Sequence, residues 1–233
     1  MTRTKLVHDF LDDSASLHPE KKAFFAMGQW HTYGRLDEQA NQLARFFIKS
    51  GLNRGDRIAL LLENSPEYVI TYYAILKAGG ITVALNTEST FEDIAYIVRD
   101  CCVRFLVTGP KLIWRTPAPH KDLPACASPQ SRASLERVFL WSSRKPPEHD
   151  PAAATVLLPE STERESTANP GVRMIDLDVA SIVYTSGSTG KPRGATLSHL
   201  NIVSNTRSIA EYLELTSDDR IMVVLPFYYI YGK

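Results

Sequence analysis

Residues 57–108 read RIALLLENSPEYVITYYAILKAGGITVALNTESTFEDIAYIVRDCCVRFLVT, and this stretch decides the fold. Arg57–Leu62 is a compact apolar run of strand length. Asn64 or Ser65 can cap a helix opened by Pro66, which the first turn tolerates because the N–H it lacks would have no intrahelical partner. Val69, Tyr72, Tyr73 and Leu76 make an apolar face, and Gly79 stops the helix. Ile81–Leu85 is a second strand. Thr90-Phe91-Glu92-Asp93 resembles a capping box ahead of Ile94, Ile97 and Val98, and Val103–Thr108 is a third strand. Strand and helix alternating in this way predict an α/β fold, with largely parallel sheets flanked by helices.

Working outward, Lys22–Ala26 and Trp30–Tyr33 read as a hairpin around Met27-Gly28-Gln29. Thr32 can cap a helix with Leu36, Ala40, Leu43, Ala44 and Phe47 on one stripe, ending at Gly51. Beyond Pro110 the alternation breaks, with prolines at 110, 117, 119, 124 and 129. Arg137–Trp141 reads as a lone strand, and 142–169 is rich in Pro, Glu, Ser, Thr and Ala. A structureless stretch of that length is unusual inside a compact domain, so it is expected to be a surface excursion. Regular structure resumes at Val179. Arg220–Leu225 is expected to be a further strand leading into Pro226–Gly232. The expected organisation is an α/β part over 1–114, an irregular excursion with one short strand over 115–178, and the start of a second sheet region over 179–233.

Composition excludes several classes. Lys and Arg number 26, as do Asp and Glu, so no net charge directs the chain to nucleic acid or an anionic membrane. No apolar window has the length needed to span a bilayer, and the start lacks the apolar run of a secretory signal. Three cysteines, with Cys101 and Cys102 adjacent, offer neither a disulfide framework nor zinc spacing. The reading is buried, reduced thiols in a cytoplasmic protein. The histidines at 8, 18, 31, 120, 149 and 199 show no metal-ligand spacing, so no metal site is expected.

Tyr184-Thr185-Ser186-Gly187-Ser188-Thr189-Gly190-Lys191-Pro192-Arg193-Gly194 carries the chemistry. It follows the apolar, β-prone run Val179–Tyr184. A helical pattern with Ile202, Thr206, Ile209, Ala210 and Leu213 on one face comes after it. Glycines let backbone N–H groups close around oxygens, hydroxyls add donors, and Lys191 and Arg193 offset negative charge, so the loop suits a polyphosphate. It is not a Walker A loop, because Pro192 follows Gly190-Lys191. The spacing of Gly187, Gly190 and Gly194 misses the dinucleotide fingerprint, and no nucleophile elbow is present. A flexible Ser/Gly linker is the bland alternative, but such linkers are usually longer and flanked by polar sequence.

Tyr184–Gly194 resembles the signature of the AMP-binding, adenylate-forming superfamily, which includes acyl-CoA synthetases, aryl-CoA ligases, luciferases and nonribosomal peptide adenylation domains. Arg193 stands where Lys is more usual. Further segments are similar to that family: Thr32–Leu36 with Ala40–Ala44, Gly55–Ala59 with Asn64–Tyr68, Leu76–Gly80 with Leu85-Asn86, and Leu225–Gly232.

The resemblance implies a two-step reaction: a carboxylic acid and ATP give an acyl adenylate and pyrophosphate, and a thiol, usually coenzyme A, then displaces AMP. ATP, Mg²⁺ and coenzyme A are the implied cofactors. The implied ATP-binding residues are Thr185, Ser186, Gly187, Ser188, Thr189, Gly190, Lys191, Pro192, Arg193 and Gly194. A salt bridge at the base of the loop is the alternative role for Arg193. Tyr228 and Tyr229 are the implied acid-binding residues, with Tyr229 where acyl- and aryl-CoA ligases often carry His, and Phe227 is expected to be core. No acidic residue lies between Asp219 and Lys233 where amino-acid-activating relatives usually carry Asp, which favours a fatty or aryl acid. Ser198 is expected to cap the following helix, with His199 supporting the loop.

The family's later adenine, ribose and Mg²⁺ segments, and the C-terminal domain with its Lys, have no counterpart by motif. No catalytic residue is therefore identified. The expectation is a truncated portion inactive alone, with exposed apolar faces. The alternatives are a non-catalytic remnant or half-enzyme needing a complementary C-terminal polypeptide, and an adenylation module that loads a carrier-protein thiol.

Overall fold

A computed structural model describes residues 5–117, 135–142, 155–185 and 192–229. Nine strands and six α-helices occur among them: α1 Asp9–Leu17, β1 Lys22–Ala26, β2 Gln29–Thr32, α2 Tyr33–Lys49, β3 Arg57–Leu61, α3 Pro66–Lys77, β4 Ile81–Ala84, α4 Phe91–Asp100, β5 Val103–Thr108, β6 Arg137–Leu140, β7 Thr155–Leu157, α5 Leu158–Thr162, β8 Val179–Thr185, β9 Arg193–Ser198 and α6 His199–Tyr212. β1 and β2 form a separate antiparallel hairpin.

The other seven strands form one sheet in the order β7-β6-β5-β3-β4-β8-β9, with every pairing parallel except β8–β9. β4 lies on one side of β3 and β5 on the other, so the sheet winds outward in both directions from β3. The carboxyl ends of the parallel strands share one edge, where open α/β sheets place their ligands.

Alternation along the strands divides the core between two faces. Ile58, Leu60, Phe105, Val107 and Phe139 pack with Leu11 of α1, Leu43 and Phe47 of α2, Ala74 and Ile75 of α3, and Leu158 of α5. Ala59, Leu61, Val83, Leu106 and Val138 pack with Ile94, Ile97 and Val98 of α4 on the opposite face. The helices begin where their caps dictate. Thr32, Ser65 and Thr90 accept from Arg35, Tyr68 and Asp93 backbone N–H groups, and Thr90–Asp93 closes a reciprocal capping box. Asn64, the other candidate for the α3 cap, is used elsewhere.

α3 is buried well beyond the expected stripe, because α1 and α2 cover the side that would otherwise meet water. Even Lys77 is buried, with its ammonium bonded to Asp12, Asp37 and Asn41. Asn41 also donates to the Thr167 carbonyl and Asn169 to Asp12, which ties the chain ahead of β8 onto the helices.

The structure corrects five expectations. The 115–178 stretch holds β6, β7 and α5 rather than one short strand. β6 is not alone, because it pairs with both β5 and β7 and buries Val138, Phe139 and Leu140. β8 starts no second sheet; it joins the first beside β4, with Val83 opposite Ile182. Residues 220–225 form no strand, because no described neighbour offers them a ladder, and Ile221, Met222, Val223, Val224 and Leu225 are all exposed. Cys102 is disulfide-bonded, so cysteine usage does not assign a compartment. No described helix is long and apolar enough to cross a membrane.

Candidate functional site at the carboxyl edge of the sheet

The 184–194 segment does not run from strand directly into helix, as expected. It is the connection of the β8–β9 hairpin, and α6 follows β9. Antiparallel register sets Thr185 opposite Arg193 and Tyr184 opposite Gly194. Ser186, Gly187, Ser188, Thr189, Gly190 and Lys191 lie outside the described residues, while Pro192 leads into β9. Thr185 and Arg193 are exposed at the mouth of the hairpin. Among the described residues Arg193 forms no ion pair, so the alternative of a salt bridge at the loop's base finds no partner there.

Tyr184 anchors this root. Its phenol donates to the Asp100 carboxylate at 2.6 Å, at the end of α4. A Cβ on Gly194 would stand 3.0 Å from the Tyr184 ring and 3.0 Å from the Ile182 side chain. Gly194 therefore serves packing: without a side chain it lets the aromatic ring of its cross-strand partner lie over it. Burial raises the Tyr184 phenol well above its ordinary value, with Cys101 and Asp100 adding to the shift. Burial also pushes the neighbouring Cys101 thiol up to about 11, so it is a poor nucleophile near neutral pH.

The aromatic segment reaches the same edge. Asn64, just past β3, donates from Nδ2 to the Leu225 carbonyl at 2.9 Å and accepts from the Phe227 N–H at 2.8 Å. The Tyr68 phenol, in the first turn of α3, donates to the Phe227 carbonyl at 3.2 Å, and the two rings lie 5.1 Å apart. Phe227 is partly buried against the core. Tyr228 is buried, and its ring lies 4.7 Å from that of Tyr229, which is half exposed. Burial and the neighbouring Tyr229 raise the Tyr228 phenol, so it remains a neutral donor and acceptor at physiological pH. Because β4 and β8 are adjacent and parallel, the turn after β4 and the hairpin root share this edge.

Ser198 caps α6 in a reciprocal capping box with Asn201. His199, fully buried, accepts from the Val7 N–H through Nδ1 at 3.1 Å and so ties the chain ahead of α1 to the start of α6. Burial lowers its pKa, against the raising influence of Asp178, Asp9 and Asp176, which leaves the ring neutral. On the expected apolar face of α6, Ile209 and Leu213 are exposed, and Val203, outside the expected stripe, is the buried contact with Leu76 and Ala180.

Among the described residues, the group able to gather around a metal ion is His8, Asp9 and Asp12, at α1 rather than the hairpin root. A cavity of about 430 Å³ is lined by Asp12, Asp37, Asn41, Thr167 and Asn169, and also holds no residue of the hairpin or the aromatic segment. The sequence reading named the loop and the tyrosines but missed Asn64, Tyr68 and Tyr184 as their supports. The available signal was the Asn64–Tyr68 block, which the sequence marks as a helix start and a family-like segment but not as a support for the aromatic run.

A family model described as AMP-binding enzyme matches residues 11–233. The chain is 31% identical to a long-chain-fatty-acid–CoA ligase of Bacillus subtilis (strain 168), over 98% of this chain and 43% of the relative. It is 29% identical to gramicidin S synthase 2 of Aneurinibacillus migulanus, over 93% of this chain and 4% of that protein. A solved fatty acyl CoA synthetase of Mycobacterium tuberculosis superposes with a TM-score of 0.77 at 22% identity, covering 97% of this chain and 41% of that one. The chain spans less than half the length of these relatives.

Proposed function

We infer the function from one premise: the chain belongs to the AMP-binding enzyme family, whose model matches residues 11–233. The proposed activity is ATP-dependent activation of a fatty or aryl carboxylic acid. The acid's carboxylate oxygen bonds to the α-phosphorus of ATP and pyrophosphate leaves. A thiol, that of coenzyme A, then attacks the acyl carbon; AMP leaves and the thiol proton passes to solvent. The first step brings two anions together, so its catalysis is mainly positioning and neutralisation of charge.

The observation that carries this reading is the mouth of the β8–β9 hairpin. A hydroxyl, Thr185, and a guanidinium, Arg193, face each other there across the two strands, exposed at the sheet edge that ligands favour. That arrangement fits a phosphate chain, and Arg193 can grip phosphate through two parallel hydrogen bonds where Lys would act as a point charge. In the proposal Ser186, Gly187, Ser188, Thr189, Gly190 and Lys191 supply the remaining donors. Pro192 and Gly194 shape the return into β9. Tyr228 and Tyr229 form one wall of the acid pocket.

Likeness to a long-chain-fatty-acid–CoA ligase favours coenzyme A as acceptor over a carrier-protein thiol. One observation favours a further element of the proposal, a complementary polypeptide or segment completing the enzyme. Ile209, Tyr212 and Leu213 of α6 and all of Ile221, Met222, Val223, Val224 and Leu225 are exposed apolar side chains, which such a partner would cover.

The test is acid-dependent ATP–pyrophosphate exchange with decanoate, benzoate and leucine, on the chain alone and with the remaining portion of a family member supplied. Exchange with decanoate or benzoate in the second arm is expected. Exchange with leucine alone would contradict the acid assignment.

A further inference from the structure

We propose that Asn64 and Tyr68 are positioning residues that set the acid-pocket wall by fixing the backbone of residues 225–227. This rests on reading Tyr228 and Tyr229 as part of that wall.

Residues 220–225 have no strand partner among the described residues, yet the segment that follows is held in place. One carboxamide does most of that work. Asn64 donates to Leu225 O and accepts from Phe227 N–H, the pair of bonds a neighbouring strand would make with the same two groups. The orientation of the amide follows from its partners, since a carbonyl only accepts and an N–H only donates. Tyr68 then donates to the Phe227 carbonyl and packs its ring, tilted by 32°, against that of Phe227.

Both supports belong to the β3–α3 unit, Asn64 in its connection and Tyr68 in the first turn of the helix. Asn64 leaves the carboxyl end of β3, in the middle of the sheet. Tyr68 is 2% exposed, and its own N–H is held by the Ser65 cap. Three polar backbone groups of the segment are thus bound to the first half of the fold. Tyr228 and Tyr229 follow directly, one buried and one facing solvent. Moving this clamp moves the two rings that would line the acid.

The chemistry at position 64 is exacting. Asp would keep an acceptor for Phe227 N–H but set a carboxylate against the Leu225 carbonyl. Ala would leave both groups without their protein partner.

The test combines amide hydrogen exchange with binding of decanoyl- and benzoyl-sulfamoyl adenosine, stable mimics of the two acyl adenylates. Wild type, Asn64→Ala, Asn64→Asp and Tyr68→Phe are compared, with the Val107 amide of β5 as the measure of an intact fold. Asn64→Ala is expected to lose at least about tenfold of Phe227 protection with Val107 unchanged. It should also weaken both mimics several-fold while ATP affinity is kept. Asn64→Asp should fall between Ala and wild type, and Tyr68→Phe should give a smaller loss. Unchanged Phe227 protection in folded Asn64→Ala overturns the clamp. Lost protection with unchanged mimic affinity overturns its role in the pocket. A wild-type chain that binds ATP but neither mimic overturns the acid-pocket reading itself, whatever the exchange data show.

Discussion

Replacing Lys77 by Met should unfold the helical layer far more readily than an ordinary surface substitution. The Lys77 side chain is 0% exposed, whereas those of its partners Asp12 and Asp37 are 26% and 21% exposed. Removing one member of a buried ion pair typically costs about 3–5 kcal/mol, because the remaining charge loses its partner without regaining water. Here the two carboxylates keep some contact with solvent, which lowers the expected cost to about 2–3 kcal/mol at pH 7. For a chain of this size that is a fall of roughly 5–10 °C in the unfolding midpoint.

The pH dependence gives the reasoning a second test. Burial raises the Asp12 pKa above 3.8, while hydrogen bonding and charge attraction from Lys77 oppose the rise. A carboxyl with a raised folded pKa favours folding when protonated, and that contribution is lost as pH rises through the folded value. Without Lys77 the folded pKa rises further. The cost of Lys77→Met should therefore shrink as the pH is lowered from 7 toward 5. Urea titration at both pH values measures this. A cost below about 1 kcal/mol at pH 7, or an equal cost at both values, would refute the argument. Changing Lys77 to Met and Asp12 to Leu together should cost less than Lys77→Met alone.

Two further outcomes follow from the site. Gly194→Ala should cost about 1–3 kcal/mol by urea titration, because the new methyl meets the Tyr184 ring and Ile182 at 3.0 Å; a neutral effect would show that the ring is not held there. For His199, whose pKa burial depresses below 6.5, the unfolded chain binds the proton more readily, so stability falls as pH drops through 6.5. His199→Asn, which keeps an acceptor for Val7 N–H, should flatten this dependence between pH 7.5 and 5.5, and an unchanged slope would remove His199 as its source.

The legible parts of the fold were those where local chemistry and tertiary packing agree. Thr32, Ser65, Thr90 and Ser198 all cap helices as read, because a cap is decided within four residues. β3, β4 and β5 were visible as apolar runs because both faces of a central parallel strand are buried. β7 was not, since Thr155–Leu157 is three residues long and its identity comes from pairing with β6. The error over 220–225 is the converse: Ile221–Leu225 has strand composition, and composition cannot supply the neighbour a strand needs. At the candidate site, the residue types of the loop suggest phosphate binding without any help from the fold. The supports were not legible, because Asn64 and Leu225 meet only through the fold, 161 positions apart.

The central claim is that the β8–β9 connection binds the phosphates of ATP, and calorimetric titration of Mg-ATP into the chain tests it most directly. The wild-type chain should bind ATP, and changing Lys191 and Arg193 together to Ala should abolish binding while the unfolding free energy from urea titration stays within about 0.5 kcal/mol of wild type. Equal ATP affinity in the folded double variant would contradict the assignment of this loop.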